Sequence, residues 1–340
     1  MRIALVTDAW HPQVNGVVRA LSTTIRELER QGHAVTVIAP DGFRTVPCPS
    51  YPEIRLSVAP YRAVARRLDS FAPEAVHIAT EGPLGWAARR HCRRRGWPFT
   101  TSFHTRFPEY VHARTRLPLR AGYGLLRRFH APAARVMVTT ETLRRELADL
   151  GLHRTAIWTR GVDTTLFGRQ APAELDLPRP VFAYVGRVAV EKNLRAFLDL
   201  DLPGSKLVVG DGPQRPALEA EYPDARFVGA KHGPELAAHH AAADVFVFPS
   251  TTDTFGLVLL EALASGVPVA AYPVTGPTDV LGDSGAGVLR DDLRAAALDA
   301  LNIPPQVCRA HAERFAWPAT AREFVANLEP IATGAPAAAA

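Results

Sequence analysis

Lysine is nearly missing from this chain. Of its 39 basic residues only Lys192, Lys206 and Lys231 are lysines, and the rest are Arg. A lysine here runs against the general preference, so something other than that preference places Lys192. Cysteine is scarce too: Cys48, Cys92 and Cys308 are scattered, odd in number and form no CxxC pair. That pattern excludes a disulfide framework and a thiolate metal site, and it suits a reducing compartment. Long apolar runs are absent. The most apolar stretch, 256–274, is broken by Glu261, and none reaches the roughly 18 residues that a membrane span requires. The opening Met-Arg-Ile-Ala-Leu-Val-Thr-Asp reads as a short strand rather than a leader, so a cytoplasmic protein is expected. No GxGxxG fingerprint occurs, which disfavours a nicotinamide cofactor. No nucleic-acid recognition motif accompanies the basic charge, which disfavours DNA or RNA as a partner.

What is present is ordinary globular composition, 47% apolar and 21% charged, over 340 residues. At roughly 100–200 residues per domain that length favours two domains. Short β-branched runs alternate with helical patterns. Strands are expected at 2–6, 35–39, 75–79, 99–103 and 136–139, and again at 181–185, 206–209, 226–228, 245–248 and 267–270. Between the first two, Val18, Leu21, Ile25 and Leu28 make a helical stripe over 17–31, with Gly32 as the stop. Such alternation predicts parallel sheets covered on both faces. Pro172, Pro178 and Pro180 mark the boundary between the two sets. The small-residue tail 334–340 is expected to fray.

Charge is unevenly placed. Residues 1–170 hold 26 Arg and 13 acids, a balance of +13, while 171–340 hold 13 bases and 21 acids, a balance of −8. Arg62/Arg66/Arg67, Arg89/Arg90/Arg93/Arg94/Arg95 and Arg114/Arg116/Arg120/Arg127/Arg128 form clusters. Leu117, Leu119, Tyr123, Leu125, Leu126 and Phe129 interleave the last of them. Basic and apolar residues so mixed suit an anionic membrane surface. A solvated Arg-rich surface is the alternative.

Four segments carry chemistry, each just after an expected strand. Pro12-Gln13-Val14-Asn15-Gly16-Val17 combines a glycine with a helix start, where free N–H groups meet an anion; alone it reads equally as a tight turn. Gly186-Arg187-Val188-Ala189-Val190-Glu191-Lys192-Asn193 brings a guanidinium fork and an ammonium toward one diphosphate, or pairs Lys192 with Glu191. Gly210-Asp211-Gly212-Pro213 removes side-chain bulk beside a ligand, or simply turns. The most specific segment runs from Asp253-Thr254-Phe255-Gly256-Leu257 to Glu261. Its two carboxylates lie eight residues apart across a helix start. A carboxylate accepts from two vicinal hydroxyls, so Glu261 suits a ribose, and the backbone N–H groups at 255–257 suit a sugar or phosphate.

Together these segments resemble the E-x7-E signature and its companions in the retaining glycosyltransferases of family 4, the "group 1" enzymes. Gly161-Val162-Asp163…Leu166-Phe167 and Phe315-Ala316-Trp317 match as well, in the same order, so that the resemblance covers roughly 1–330. It implies an α/β protein of the GT-B type, two Rossmann-like parallel-sheet domains with a donor cleft between them. The expected division is 1–168, the acceptor domain, and 169–317, the donor domain. A helix at about 318–332 returns to the first, and 333–340 form a flexible tail.

By that resemblance Arg187 and Lys192 hold the donor diphosphate and Glu261 the ribose. Asp253, with the backbone of Phe255, Gly256 and Leu257, meets the transferred sugar. Gly16 and Gly212 approach the diphosphate, His104 stands beside the donor sugar, and Glu81 faces the acceptor. The implied catalytic set is Arg187, Lys192, His104 and Asp253. The reaction is front-face substitution with retention, and no metal or bound cofactor is expected: the nucleotide-sugar is a co-substrate. A UDP-hexose is preferred to GDP-mannose as donor. The acceptor expected is a membrane lipid such as diacylglycerol or a phospholipid, at the inner face of the cytoplasmic membrane. Two departures stand out: Asp253 is one methylene shorter than the family's Glu, and Val274-Thr275-Gly276-Pro277 lacks a glycine pair. Asp199-Leu200-Asp201 spells a metal-binding triplet of another glycosyltransferase fold, here in a helix-to-strand connection where a metal role is not expected. The competing functions are a nucleotide-sugar epimerase of similar fold and a non-catalytic nucleotide-sugar-binding protein.

Overall fold

The computed structural model of the protein describes residues 1–13, 16–48, 51–104, 118–168, 170–251, 253 and 255–332, without the side chains of 48 and 51–54. Val14, Asn15, Thr105 to Phe107 of the His104 segment, Arg114, Arg116, Leu117, Thr254 and the tail 334–340 lie outside the described residues. The chain divides into two compact units, Met1–Thr159 with Thr320–Ala340, and Arg160–Ala319.

The first unit opens with β1 (Arg2–Val6) and β2 (Ala34–Ile38), and adds an antiparallel pair, β3 (Thr45–Cys48) and β4 (Tyr51–Ser57). β5 (Ala75–Ile78), β6 (Thr100–Ser102), β7 (Arg135–Val138) and β8 (Thr155–Ile157) follow. Six of these make one all-parallel sheet in the order β2-β1-β5-β6-β7-β8. β5 is buried throughout and β1 from Ile3 onward. That is why both read as unbroken apolar runs: a parallel strand covered on both faces has no solvent side to alternate toward. The helix Gly16–Arg30 buries the expected stripe of Val18, Leu21, Ile25 and Leu28, and Gly32 (φ +83°) ends its turn.

The second unit holds β9 (Val181–Val185), β10 (Ser205–Val209), β11 (Ala225–Phe227), β12 (Val245–Phe248), β13 (Val269–Ala271) and β14 (Gly287–Leu289). They form a second all-parallel sheet in the order β11-β10-β9-β12-β13-β14. Counted within the unit this is 3-2-1-4-5-6, the order of a doubly wound nucleotide-binding sheet. Counted the same way, the first sheet is 2-1-3-4-5-6. In both, the winding reverses beside the first strand, at β1/β5 and at β9/β12, the point where sheets of this kind open a crevice beyond the strands' carboxyl ends.

All ten expected strands are present, each within two residues of its expected limits. The structure adds β8, β14 and the β3–β4 pair. β8 and β14 are three-residue, half-buried edge strands, too short and too exposed to leave an apolar run. The division of the chain falls at Thr159/Arg160 rather than at 168/169, because the segment in between is held by the second unit. Val162 pairs with Ala316, its N–H donating to Phe315 O (2.8 Å), and Phe167 lies in that unit's core. Gly161 serves the same junction, since a Cβ there would sit 2.4 Å from the Trp317 ring. The helix Trp317–Asn327 starts in the second unit and ends in the first. There Ala321, Phe324 and Leu328 pack with Ile3, Leu5, Met137 and Trp158, and Asn327 Nδ2 donates to Ile157 O (2.6 Å).

One arginine of the first unit is structural. Arg89, in the helix Pro83–Arg95, is buried, and its guanidinium donates to the carbonyls of Phe129 (2.9 Å) and Arg128 (2.7 Å), closing the end of the helix Leu119–His130. Charged donors to last-turn carbonyls also complement the helix dipole. Replacing it by Met (Arg89→Met) strands those carbonyls and is expected to cost about 3 kcal/mol, read as a lowered urea midpoint. The exposed Arg93→Met is expected to cost less than about 0.5 kcal/mol.

Candidate active site

In the second unit the loops leaving β9 and β10 are bonded backbone to backbone. Gly186 N donates to Val209 O (2.9 Å), Val188 N to Asp211 O (2.9 Å) and Gln214 N to Val188 O (3.1 Å). A Cβ on Gly210 would lie 1.8 Å from Gly186 O, and one on Gly212 2.3 Å from Val188 O. These two glycines therefore make room for the neighbouring loop, not only for a ligand as the sequence suggested for Gly212.

The β9 loop positions both cations. Tyr184 OH donates to Arg187 O (2.8 Å), and burial, with Asp253 and Glu191 nearby, holds that phenol above its ordinary pKa, so it stays a donor. Arg187 itself is exposed, its guanidinium 3.6 Å from Glu191. After the short turn Val190–Lys192, Asn193 takes a left-handed conformation (φ +53°) and its Nδ2 donates to Pro249 O (3.2 Å) at the end of β12. That tie brings Lys192 to Asp253. The Lys192 amine donates to both carboxylate oxygens, at 2.6 and 2.8 Å, and each side chain is 23% exposed. The lysine thus pairs with Asp253, and the arginine takes Glu191.

Gly256 (φ +79°) turns the chain into the helix Leu257–Ala264, whose start has no side-chain cap among the described residues. Phe255 turns its ring into the core, leaving its backbone to serve a ligand. Gly276 sits against this loop, since a Cβ there would lie 2.6 Å from Asp253 O. Glu261 is buried on the helix, with Oε2 3.8 Å from His240 Nε2. Burial lowers the His240 pKa to about 3, so the imidazole is neutral. The second unit thus carries Arg187, Lys192, Gly212, Asp253, Phe255, Gly256, Leu257 and Glu261 in the loops leaving β9, β10 and β12 and the helix after β12. Two cations, a carboxylate that one of them already holds and a buried carboxylate make a set suited to a diphosphate and a vicinal diol.

The first unit places Gly16, Glu81 and His104 beyond β1, β5 and β6. Gly16 heads its helix, and a Cβ there would meet nothing within 4 Å. Packing does not require this glycine. His104 meets the Trp158 ring edge-on at 5.8 Å. Glu81 accepts from His130 Nε2 (3.2 Å), and His130 Nδ1 lies 2.8 Å from Thr101 Oγ1.

Asp8 was missed from the sequence. It stands at the end of β1 and accepts from Leu84 N (2.9 Å), Gly85 N (3.3 Å) and Thr80 Oγ1 (3.0 Å), filling the start of the helix Pro83–Arg95. Burial outweighs these bonds and raises its pKa to about 6. An acid at a strand end was the only sequence signal. In the Asp199-Leu200-Asp201 triplet, Asp199 accepts from Tyr222 OH (2.5 Å), and Asp201 is exposed, 3.7 Å from Arg294.

Two doubly wound units with this set of groups define a glycosyltransferase of the GT-B type. Residues 14–166 match the family model Glycosyltransferase Family 4, and 179–302 match Glycosyl transferases group 1. The chain belongs to this family. It is 33% identical over 317 residues to a GDP-mannose-dependent alpha-mannosyltransferase of Mycobacterium tuberculosis, covering 85% of this chain and 83% of that one. It is 30% identical over 353 residues to an alpha-monoglucosyldiacylglycerol synthase of Streptococcus pneumoniae, covering 90% and 80%. Sucrose-phosphate synthase from Thermosynechococcus elongatus shares the fold, with a TM-score of 0.70 at 20% identity over 96% of this chain and 97% of that one.

The glycines separate by experiment. Gly16→Ala is expected to leave the melting temperature within about 2 °C of wild type, because a Cβ there meets nothing. Gly210→Ala is expected to unfold the protein several degrees earlier. Asp8 has a sign that can be checked. Its folded pKa lies above the unfolded value, so the stability it lends is full below about pH 4 and is lost as pH rises through about 6. Urea unfolding should show wild type losing up to about 3 kcal/mol relative to Asp8→Asn between pH 4 and pH 7.

Proposed function

We propose that this chain transfers a mannosyl group from GDP-mannose to a lipid acceptor at a membrane surface, with retention at the anomeric carbon and with neither metal nor bound cofactor. The observation that carries the reading is the set at the β9/β12 reversal: Arg187 and Lys192 for a diphosphate, with Glu261 eight residues after Asp253 for a ribose. The mycobacterial relative's name supports the guanosine donor, and the pneumococcal relative's name supports a lipid acceptor.

The Lys192–Asp253 pair frames the reaction. An arriving diphosphate takes the Lys192 amine from Asp253, and the freed carboxylate receives a hydroxyl of the transferred sugar. Glu261 accepts from the two ribose hydroxyls. The bond from the anomeric carbon to the diphosphate oxygen breaks as a bond to the acceptor oxygen forms on the same face. The acceptor proton passes to the leaving diphosphate, whose charge Arg187 and Lys192 stabilise. The first unit offers its own groups: the Gly16 backbone for a phosphate, His104 for a sugar hydroxyl and Glu81 for an acceptor hydroxyl.

The lipid reading has a surface to rest on. Along the helix Leu119–His130, Leu119 and Leu125 are exposed beside Arg120, Arg127 and Arg128. Elsewhere on this unit Arg90 and Arg94 lie over Tyr61 and Arg95 near Trp97, contacts that leave the charge in place. Among the described residues no helix is long and apolar enough to cross a membrane. Peripheral attachment at the cytoplasmic face fits these features. A second reading keeps the site and changes the donor: a UDP-hexose passed to diacylglycerol, supported by the pneumococcal relative's name.

A nucleotide-release assay tests both. Purified protein is offered GDP-mannose, UDP-glucose, UDP-galactose or UDP-glucuronate, with and without anionic phospholipid vesicles containing diacylglycerol. The expected result is GDP release that depends on the vesicles. Vesicle-dependent UDP release selects the second reading, and release indifferent to vesicles removes the lipid. Lys192→Met is expected to lower kcat/KM about 10²- to 10³-fold.

A further inference from the structure

Glu261 is not the only polar group in its surroundings. The helix Gly233–Ala241 carries His240, whose side chain is 1% exposed. Phe167 meets its ring edge-on at 5.6 Å and Phe246 lies tilted at 5.9 Å. Among the described residues its buried Nε2 has no hydrogen-bond partner. The carboxylate of Glu261 stands 3.8 Å from it, on a different helix. The adjacent His239 is satisfied locally, its Nδ1 lying 2.7 Å from Glu235 O.

A buried donor left unpaired costs about 1–3 kcal/mol, and native structures rarely tolerate one without a use. An imidazole among Phe rings also packs no better than the apolar side chain that could replace it. Its use lies in the group it faces. A carboxylate has about four lone-pair positions. Two vicinal hydroxyls take two of them, and a donor behind the carboxylate fixes its plane.

We infer that His240 is a positioning residue for Glu261: its Nε2–H holds the carboxylate in the orientation that receives both ribose hydroxyls, and the 3.8 Å gap closes to a hydrogen bond when nucleotide binds. This rests on Glu261 as the ribose acid. The neutral imidazole carries one proton, and a carboxylate only accepts, so the proton sits on Nε2. Holding the carboxylate this way reduces the ordering left for the ligand to impose.

The test is a chemical double-mutant cycle on the full chain, by isothermal titration of GDP, UDP and their 2′,3′-dideoxy counterparts. Wild type is expected to prefer the ribonucleotide by about tenfold or more. His240→Leu is expected to lose most of that preference, with affinity for the dideoxy nucleotide held within about twofold. His240→Gln, whose amide restores a donor, is expected to regain it. In turnover, His240→Leu should raise KM for the nucleotide-sugar and leave kcat nearly unchanged. The inference is overturned if His240→Leu weakens ribo- and dideoxynucleotide equally, or neither, while Glu261→Gln still loses the ribose preference. If Glu261→Gln keeps that preference, the ribose reading falls and the role of His240 falls with it. Should His240→Leu fail to fold, His240→Met is put through the same cycle and judged by the same outcomes.

Discussion

Every group assigned to chemistry in this protein depends on one constraint of parallel sheets. Strands that all run the same way deliver their outgoing loops to the same rim. Where the winding reverses, two of those loops part and leave a crevice. In the second unit that point is β9/β12. One side carries Arg187 and Lys192, and the other carries Asp253 and the helix of Glu261. On the opposite side of β9, the β10 loop comes so close that a single methyl on Gly210 would strike the Gly186 carbonyl. Much of the glycine in this region is thus the cost of bringing strand ends together, and the ligand benefits indirectly.

The first unit obeys the same constraint and uses its crevice differently. At β1/β5 the chain supplies its own anion: Asp8 fills the start of the helix Pro83–Arg95. A helix start whose N–H groups already hold a carboxylate is closed to phosphate. The helix of Glu261, by contrast, begins at Gly256, and among the described residues no side chain caps it. Two helix starts on related sheets thus differ in what they can bind, and one aspartate makes the difference. Asp8 also shows burial outweighing three favourable hydrogen bonds, since its pKa rises in spite of them.

Asp253 and Lys192 form an ion pair across two loops. The carboxylate holds the amine with both oxygens in the structure. The pair keeps a cation and an anion ready in a half-buried place where neither is left uncompensated. In the proposed function, ligand binding is an exchange of partners. An exchange between charged groups costs less than stripping a bare ammonium of water, because the amine is already partly desolvated and oriented.

The sequence by itself determined the parallel α/β character of both units, through apolar runs that only doubly covered strands produce. It determined the family, through motifs whose order along the chain is as informative as their content. It also marked Arg187, Lys192 and Asp253 as candidates, because they stand in loops that leave strands, and Glu261 in the helix that follows one of those loops. It did not yield β8 and β14, whose half-buried edges need no apolar run. Nor did it decide which cation pairs with which acid, why Gly161, Gly210 and Gly212 are glycines, or that Asp8 and His240 matter. Each of these depends on a partner distant along the chain: Trp317 for Gly161, the β9 loop for Gly210 and Gly212, the helix Pro83–Arg95 for Asp8, Glu261 for His240. Periodicity reports which face of an element is covered. Only the folded arrangement of strands and helices decides what covers it.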